Sequence, residues 1–149
     1  WGVLRPLDGK IETLITRDPR NRQLMTASEN KGKKAVTFYK TKKVFYSKNL
    51  PKVSLIEFKL ETGRTHQIRV HMKYKGTSIL GEKKYHNKKM KFKNIDQDLQ
   101  IILKKLKGQM LHAKTIGFHH PRKNENLEFK SELPSKFTNL LNLLDKLSD

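Results

Sequence analysis

Apolar and polar residues alternate over several short stretches of the first sixty residues, which is the pattern of half-buried β-strands. The alternation is clear over residues 11–15 and 56–61. Two further stretches rich in β-branched and aromatic residues, 35–39 and 44–46, predict two short strands separated by the lysine-rich run 40–43. The front of the chain is therefore predicted to form a sheet.

Helical patterns appear further along the chain. Residues 96–107 place four apolar side chains on one stripe, and a second amphipathic helix is predicted from Pro134-Ser135 onwards. Between them, 109–118 and 127–130 read as the strands of a hairpin. Strands dominate the front and helices are inserted, so we predict an α+β fold with a mixed, largely antiparallel sheet flanked by helices, in a single domain over residues 1–149.

The stretch from Leu60 to Met72 organises the chain. A strand ends at Thr62-Gly63, Thr65 is a predicted N-cap of a short helix, and Gly76 stands where helices end. A helix N-terminus offers backbone N–H groups and a positive dipole end to an anion. We therefore predict a phosphate-binding turn made of Arg64, Thr65, His66 and Gln67.

Arg69 has a different predicted role. It lies five residues after Arg64 and between Ile68 and Val70, so it points to another face, close to the apolar side of the helix. A partly buried charge needs a partner, usually a carboxylate. No acidic residue stands three or four positions away on either side, so the partner is expected from elsewhere.

The net charge of the chain indicates which class of partner it binds. Thirty-three Lys and Arg against fourteen Asp and Glu give +19, with an isoelectric point near 10.2, which favours polyanions and predicts salt-sensitive binding of nucleic acid. The turn 17–22 carries Arg20 and Arg22, and reads equally well as a solvated loop or as a clamp on an RNA backbone. The basic stretch 83–93 interleaves Tyr85 and Phe92, and reads as a solvated insertion or as an RNA contact.

Several functional classes find no support. The chain has no cysteine, its six histidines do not cluster at metal-ligand spacings, and it has no Gly-rich nucleotide loop. We therefore expect no metal and no small-molecule cofactor. No apolar run approaches the ~20 residues of a membrane span, so an intracellular, cytoplasmic protein with no membrane partner is expected. Asp8 and Asp18, both in basic loops, are the acids to test for chemistry.

The organising stretch, Leu60-Glu-Thr-Gly-Arg-Thr-His-Gln-Ile-Arg-Val-His71, closely resembles the signature of the RluA family of RNA pseudouridine synthases. Further resemblances follow in order along residues 1–134: Asp18-Pro19-Arg20-Asn21-Arg22, Gly81-Glu82-Lys83-Lys84-Tyr85, Gln109-Met110-Leu111-His112-Ala113 and Gly117-Phe118-His119-His120-Pro121. The segment Gly81-Glu82-Lys83-Lys84-Tyr85 has Glu82 where the family has aspartate.

The resemblance implies an enzyme that breaks the glycosidic bond of a uridine in ribosomal RNA of the large subunit or in tRNA, and rejoins the base through carbon without a cofactor. It implies the pseudouridine synthase fold, and it implies that Arg69 pairs with a nucleophilic aspartate. It further implies that Leu111, His112 and Tyr85 line the pocket. RNA contacts are expected from Arg64, Thr65, His66, Gln67, Lys73, Arg20 and Arg22.

One departure matters. The family's aspartate motif, Arg-Leu-Asp-x-x-Thr-Ser-Gly, does not occur in these 149 residues, and Arg5-Pro6-Leu7-Asp8 resembles it only superficially. We therefore expect the chain to be the C-terminal part of the catalytic domain, inactive alone. The alternative is a non-catalytic, basic RNA-binding module, which explains the charge and the missing nucleophile but not Arg69 within an intact signature. A DNA-binding protein would need a recognition helix, and none is evident.

Overall fold

The alternating stretches at the front of the chain form one antiparallel sheet in a computed structural model, which describes residues 1–86 and 95–149. The strands are β1 (Asp8–Arg17), β2 (Met25–Ser28), β3 (Lys33–Ser47), β4 (Leu50–Leu60), β5 (Thr115–His120) and β6 (Glu125–Lys130). The helices are α1 (Gln67–Tyr74), α2 (Gln97–Lys105) and α3 (Ser135–Leu147). The predicted role of Phe92 in the basic stretch lies outside the described residues.

The strands form two sheets. The larger has the order β2-β1-β3-β4, and the smaller is the hairpin of β5 and β6. Every strand pair in the described ranges is antiparallel. The predicted α+β class, the hairpin and both later helices are confirmed. None of the helices in those ranges is long and apolar enough to cross a membrane.

The prediction of two short strands at 35–39 and 44–46 is wrong. β3 is one strand of fifteen residues, and its pairing with β4 shifts register between Thr41 and Lys43. The lysines between the two apolar stretches do not interrupt it, because a strand's ladder is made by its backbone while Lys40 and Lys42 point to solvent. Lys42 also pairs with Glu57 across the sheet. The short strand β2 was not predicted.

Helix α1 packs against the sheet through its apolar face. Val70 joins a buried cluster with Ile15, Ala35 and Tyr85, and Met72 joins another with Leu4, Ile11 and Tyr39. Helices α2 and α3 contribute to a third cluster, which includes Phe45, Val53, Leu99, Leu140 and Leu144. The sheet therefore supports α1 rigidly, with its polar side chains directed away from the apolar contacts.

Candidate functional site

The turn into α1 differs from its prediction. The residue that precedes the helix is His66, in the left-handed conformation at φ 56°, and no side chain caps the first turn, so Thr65 is not the N-cap. The backbone N–H of Gln67 donates to the Arg64 carbonyl at 3.0 Å, and that of Val70 to the His66 carbonyl at 2.9 Å. At the other end, Gly76 at φ 76° follows the last residues of the helix, as predicted.

The side chain of Gln67 does not lie at the surface, where its predicted contact with RNA would require it. Its side chain is 3% exposed, and its amide is fully engaged inside the fold. The Oε1 atom accepts hydrogen bonds from the Arg64 N–H and the Thr62 hydroxyl, while Nε2 donates to the Val36 carbonyl and the Thr37 hydroxyl. Gln67 therefore fastens the entry turn to β3. One backbone N–H that was expected to be free for phosphate, that of Arg64, is consumed by this network.

A second buried hydrogen-bond chain lies behind α1. The imidazole of His71 contacts the Thr37 hydroxyl at 2.8 Å through Nδ1 and the Thr13 hydroxyl at 3.0 Å through Nε2. The Thr37 hydroxyl already accepts from Gln67, so donating to Nδ1 makes use of its single proton, and Nε2 then carries the proton of a neutral ring. Burial lowers the pKa of His71 to about 4, which agrees with that state.

Arg69 has a partner inside this chain. Its Nε donates to Oε2 of Glu82 at 2.6 Å, and its Nη2 donates to Oε1 at 2.9 Å. The side chain of Arg69 is 13% exposed and that of Glu82 only 1%. The predicted need for a carboxylate is thus met by a residue thirteen positions away, across the connection between α1 and the Gly81 turn.

Glu82 is held firmly as an anion. Burial alone would raise its pKa, but the Arg69 guanidinium and the backbone N–H groups of Lys84 and Tyr85 outweigh burial and lower the pKa to about 2. Gly81 at φ 76° makes this turn possible, because a Cβ at that position would collide with the Gly108 carbonyl. The same ion pair raises the pKa of Arg69.

Tyr85 connects three parts of the site. Its ring lies 4.8 Å from the guanidinium carbon of Arg69. Its hydroxyl accepts from the backbone N–H of Met25 at 3.0 Å and contacts Nδ1 of His66 at 2.8 Å. The hydroxyl proton is available to His66 Nδ1, which places the ring proton of His66 on Nε2. Burial, with Arg69 and Lys84 nearby, lowers the pKa of His66.

Tyr85 is fully buried, so in this structure it is a core residue rather than the open pocket wall that was predicted. The other two predicted pocket residues lie beyond α2. Leu111 is 37% exposed, and His112 is half-buried with Nε2 3.3 Å from the Ser131 carbonyl. A surface cleft of about 690 Å³ lies at β1, β2 and the end of α1, and none of these three residues lines it.

The other residues predicted to contact RNA lie in two groups. Arg64 is half-buried and donates from Nε to the Lys34 carbonyl at 2.9 Å, while Thr65 is exposed and Lys73 half-buried on α1. Arg20 and Arg22 are exposed on the loop between β1 and β2. That loop ends at Met25, whose N–H is bound by Tyr85, so the two groups are connected through one hydroxyl.

No three or more His, Cys, Asp or Glu side chains within residues 1–86 and 95–149 are grouped so that they could hold a metal ion. The two acids singled out as candidates are not close partners of Arg69. Asp8 is exposed at the start of β1, and Asp18 accepts the Arg20 N–H at 2.9 Å.

The sequence of this chain is similar to those of known proteins. The sequence profile of the family described as "RNA pseudouridylate synthase" matches residues 4–74, which include the turn and all of α1. "Uncharacterized RNA pseudouridine synthase YlyB" of Bacillus subtilis (strain 168) is 41% identical over 97% of this chain and 42% of its own length. "Ribosomal large subunit pseudouridine synthase D" of Neisseria meningitidis serogroup A is 39% identical over 93% of this chain and 35% of its own length.

A solved structure shares the fold. "Human RNA Pseudouridylate Synthase Domain Containing 1" superposes with a TM-score of 0.66 at 22% identity, covering 99% of this chain and 63% of that one. The chain thus spans between a third and a half of the length of these curated relatives.

Proposed function

Because this chain belongs to the RluA family of RNA pseudouridine synthases, we propose that it is the C-terminal part of a catalytic domain that converts uridine to pseudouridine in RNA. The reaction breaks the bond between N1 of uracil and C1′ of ribose, forms a bond between C5 and C1′, and exchanges the C5 proton for one on N1. The similar protein from Neisseria is named for the ribosomal large subunit, which makes that RNA the first substrate to test, with tRNA as the second.

The observation that carries this proposal is the state of Arg69. A charge that is 13% exposed is held by one buried carboxylate, within a turn whose neighbours Arg64, His66 and Lys84 are also basic or ionisable. An arginine in that setting is suited to receive a second anion from the open side. We assign that anion to a nucleophilic aspartate that lies outside these 149 residues.

The RNA backbone is bound by basic and polar side chains around Arg69. We assign this role to Arg64, Thr65, His66 and Lys73 around α1 and to Arg20 and Arg22 on the loop before β2. The net charge of +19 supports a largely electrostatic mode of binding. The uracil must leave its stack to be reached, which costs a few kcal/mol and favours loops in the RNA.

The activity is tested by release of tritium from RNA labelled at uridine C5. The protein is expressed with any segment that its gene encodes before Trp1 and is offered transcripts of large-subunit rRNA and of tRNA. We expect release with one of them, and none when Arg69→Met replaces the wild type. RNA binding without release, in a protein whose upstream segment contains the aspartate motif, would contradict the enzyme and favour a binding module.

A further inference from the structure

Glu82 occupies only one edge of the Arg69 guanidinium. A guanidinium has five N–H donors, and Glu82 takes one from Nε and one from Nη2. The remaining three are both N–H groups of Nη1 and the second N–H of Nη2, and no described residue of the chain accepts a hydrogen bond from them. Because the side chain of Arg69 retains 13% exposure while that of Glu82 retains 1%, the accessible part of the pair belongs to Arg69.

Glu82 itself cannot turn away from Arg69. Its Oε1 atom also accepts the N–H groups of Lys84 at 2.8 Å and of Tyr85 at 3.2 Å. The Tyr85 ring lies against the guanidinium, and the carbonyl of Tyr85 is bound by the Ser78 hydroxyl. The carboxylate is therefore fixed by the backbone of its own turn, and through two hydrogen bonds it fixes the rotation of the arginine.

We propose that Glu82 is a positioning residue: it holds Nε and Nη2 of Arg69 so that the remaining Nη1 and Nη2 donors are aimed at the nucleophilic carboxylate. This inference rests on the proposed function, since the carboxylate to be received is that of the synthase. Glu82 is too buried to touch RNA, so its effect passes through Arg69. Misplacement of such a group by about 1 Å is enough to slow a reaction by about 100-fold.

The test is Glu82→Gln in the protein that carries its upstream segment. Glutamine keeps the size but has one acceptor oxygen, so it cannot receive both Nε and Nη2 of Arg69. We expect the single-turnover rate constant for pseudouridine formation to fall by about 10- to 100-fold, with the Kd for RNA within about twofold of wild type. Glu82→Asp keeps the carboxylate and should stay within about fivefold of the wild-type rate constant.

Glu57→Gln is the matched control, because it makes the same chemical change away from the site. Glu57 is exposed on β4, where it pairs with Lys42 of β3. A purely structural role for Glu82 would lower the amplitude of the single turnover, as inactive protein accumulates, and leave the rate constant unchanged. That result, or a wild-type rate constant in Glu82→Gln, overturns the inference. If the wild type itself converts no uridine, the proposed function fails instead.

A second measurement needs only the wild type. Held by Glu82, the Nε proton of Arg69 should exchange with solvent at least about tenfold more slowly by NMR than that of Arg122, which lies in an exposed turn. Equal exchange at the two arginines would show that Arg69 is not held, and would overturn the inference even if Glu82→Gln fails to fold.

Discussion

Arg64 and Arg69 stand five residues apart in the same signature but are held in different ways. Arg64 is half-buried and donates from Nε to the Lys34 carbonyl, and no described residue accepts from its Nη1 or Nη2. Arg69 is clamped by a buried carboxylate. A guanidinium with unused donors suits a phosphate, whereas a clamped one suits a reacting group whose position must not vary.

This difference predicts two phenotypes. Arg69→Met should abolish turnover in the protein with its upstream segment while leaving RNA affinity nearly unchanged, because its guanidinium does not reach for the backbone. Arg64→Ala should weaken RNA binding and reduce the slope of log K against log salt by about one unit. Filter binding across a salt series and the tritium assay separate the two. Equal losses of affinity in both variants would show that the roles are wrongly divided.

His71 predicts a dependence of stability on pH. Its pKa is about 4 in the folded chain against 6.5 for an unperturbed histidine, so the unfolded chain binds more protons between these values. The free energy of unfolding should therefore rise by about 2 kcal/mol from pH 4.5 to 6.5. The pKa of Glu82 is lowered from 4.5 to about 2, so the stability that its ionised carboxylate contributes is lost only as the pH falls from about 4.5 towards 2. Glu82 therefore affects stability at lower pH than His71 does.

Chemical denaturation of wild type and of His71→Gln at pH 4.5 and 6.5 checks this assignment. The variant keeps polar contacts with Thr13 and Thr37 but has no titrating ring, so its stability should change less over that interval. The same change in both proteins would place the responsible proton elsewhere.

At the scale of single residues, interactions between residues close in sequence could be predicted, whereas partners far apart in sequence could not. The need of Arg69 for a carboxylate followed from its place between Ile68 and Val70, but Glu82 was missed because only positions three and four away were considered. Gln67 was assigned to RNA because it stands in a polar run. Its burial depends on β3, which supplies the Val36 carbonyl and the Thr37 hydroxyl from thirty residues away.

At the scale of elements, Tyr85 connects the loop between β1 and β2, which carries Arg20 and Arg22, to the N-terminus of α1. The loop between β1 and β2 ends at Met25, and the Tyr85 hydroxyl joins its N–H to His66, the residue that precedes α1. Periodicity predicted β1, β4 and all three helices, since each has a continuous apolar face. It divided β3 wrongly because pairing with β4 keeps the lysine-rich residues extended, and it missed β2 because pairing with β1 rather than composition makes those residues extended.

Tyr85→Phe tests this link. The variant keeps the ring against Arg69 but removes the shared hydroxyl. The single-turnover rate constant for pseudouridine formation should therefore stay within about twofold of the wild-type value. RNA affinity should fall by about three- to tenfold, because His66 and the loop lose about 1 kcal/mol of hydrogen bonding that aligns them. Tyr46→Phe, at an exposed tyrosine on β3, is the matched control. A loss of rate with unchanged affinity would contradict this role.

At the scale of the whole molecule, the fold class followed from the order of strand-like and helix-like stretches, and the signature identified the family before any geometry was known. The pocket residues Leu111 and His112 were assigned from the resemblance alone, and this role stays a prediction. Leu111 is 37% exposed, and His112 contacts the Ser131 carbonyl nineteen residues away, which short-range patterns do not encode.

The most direct test of the account is tritium release from C5-labelled RNA by the 149-residue chain itself, compared with the same chain preceded by a segment carrying Arg-Leu-Asp-x-x-Thr-Ser-Gly. The account predicts that the 149-residue chain binds RNA weakly and releases no tritium, and that the preceding segment establishes release that depends on Arg69. Release by the 149-residue chain alone would contradict it. The nucleophile would then be a carboxylate within these residues, and Asp8 would be the first to replace.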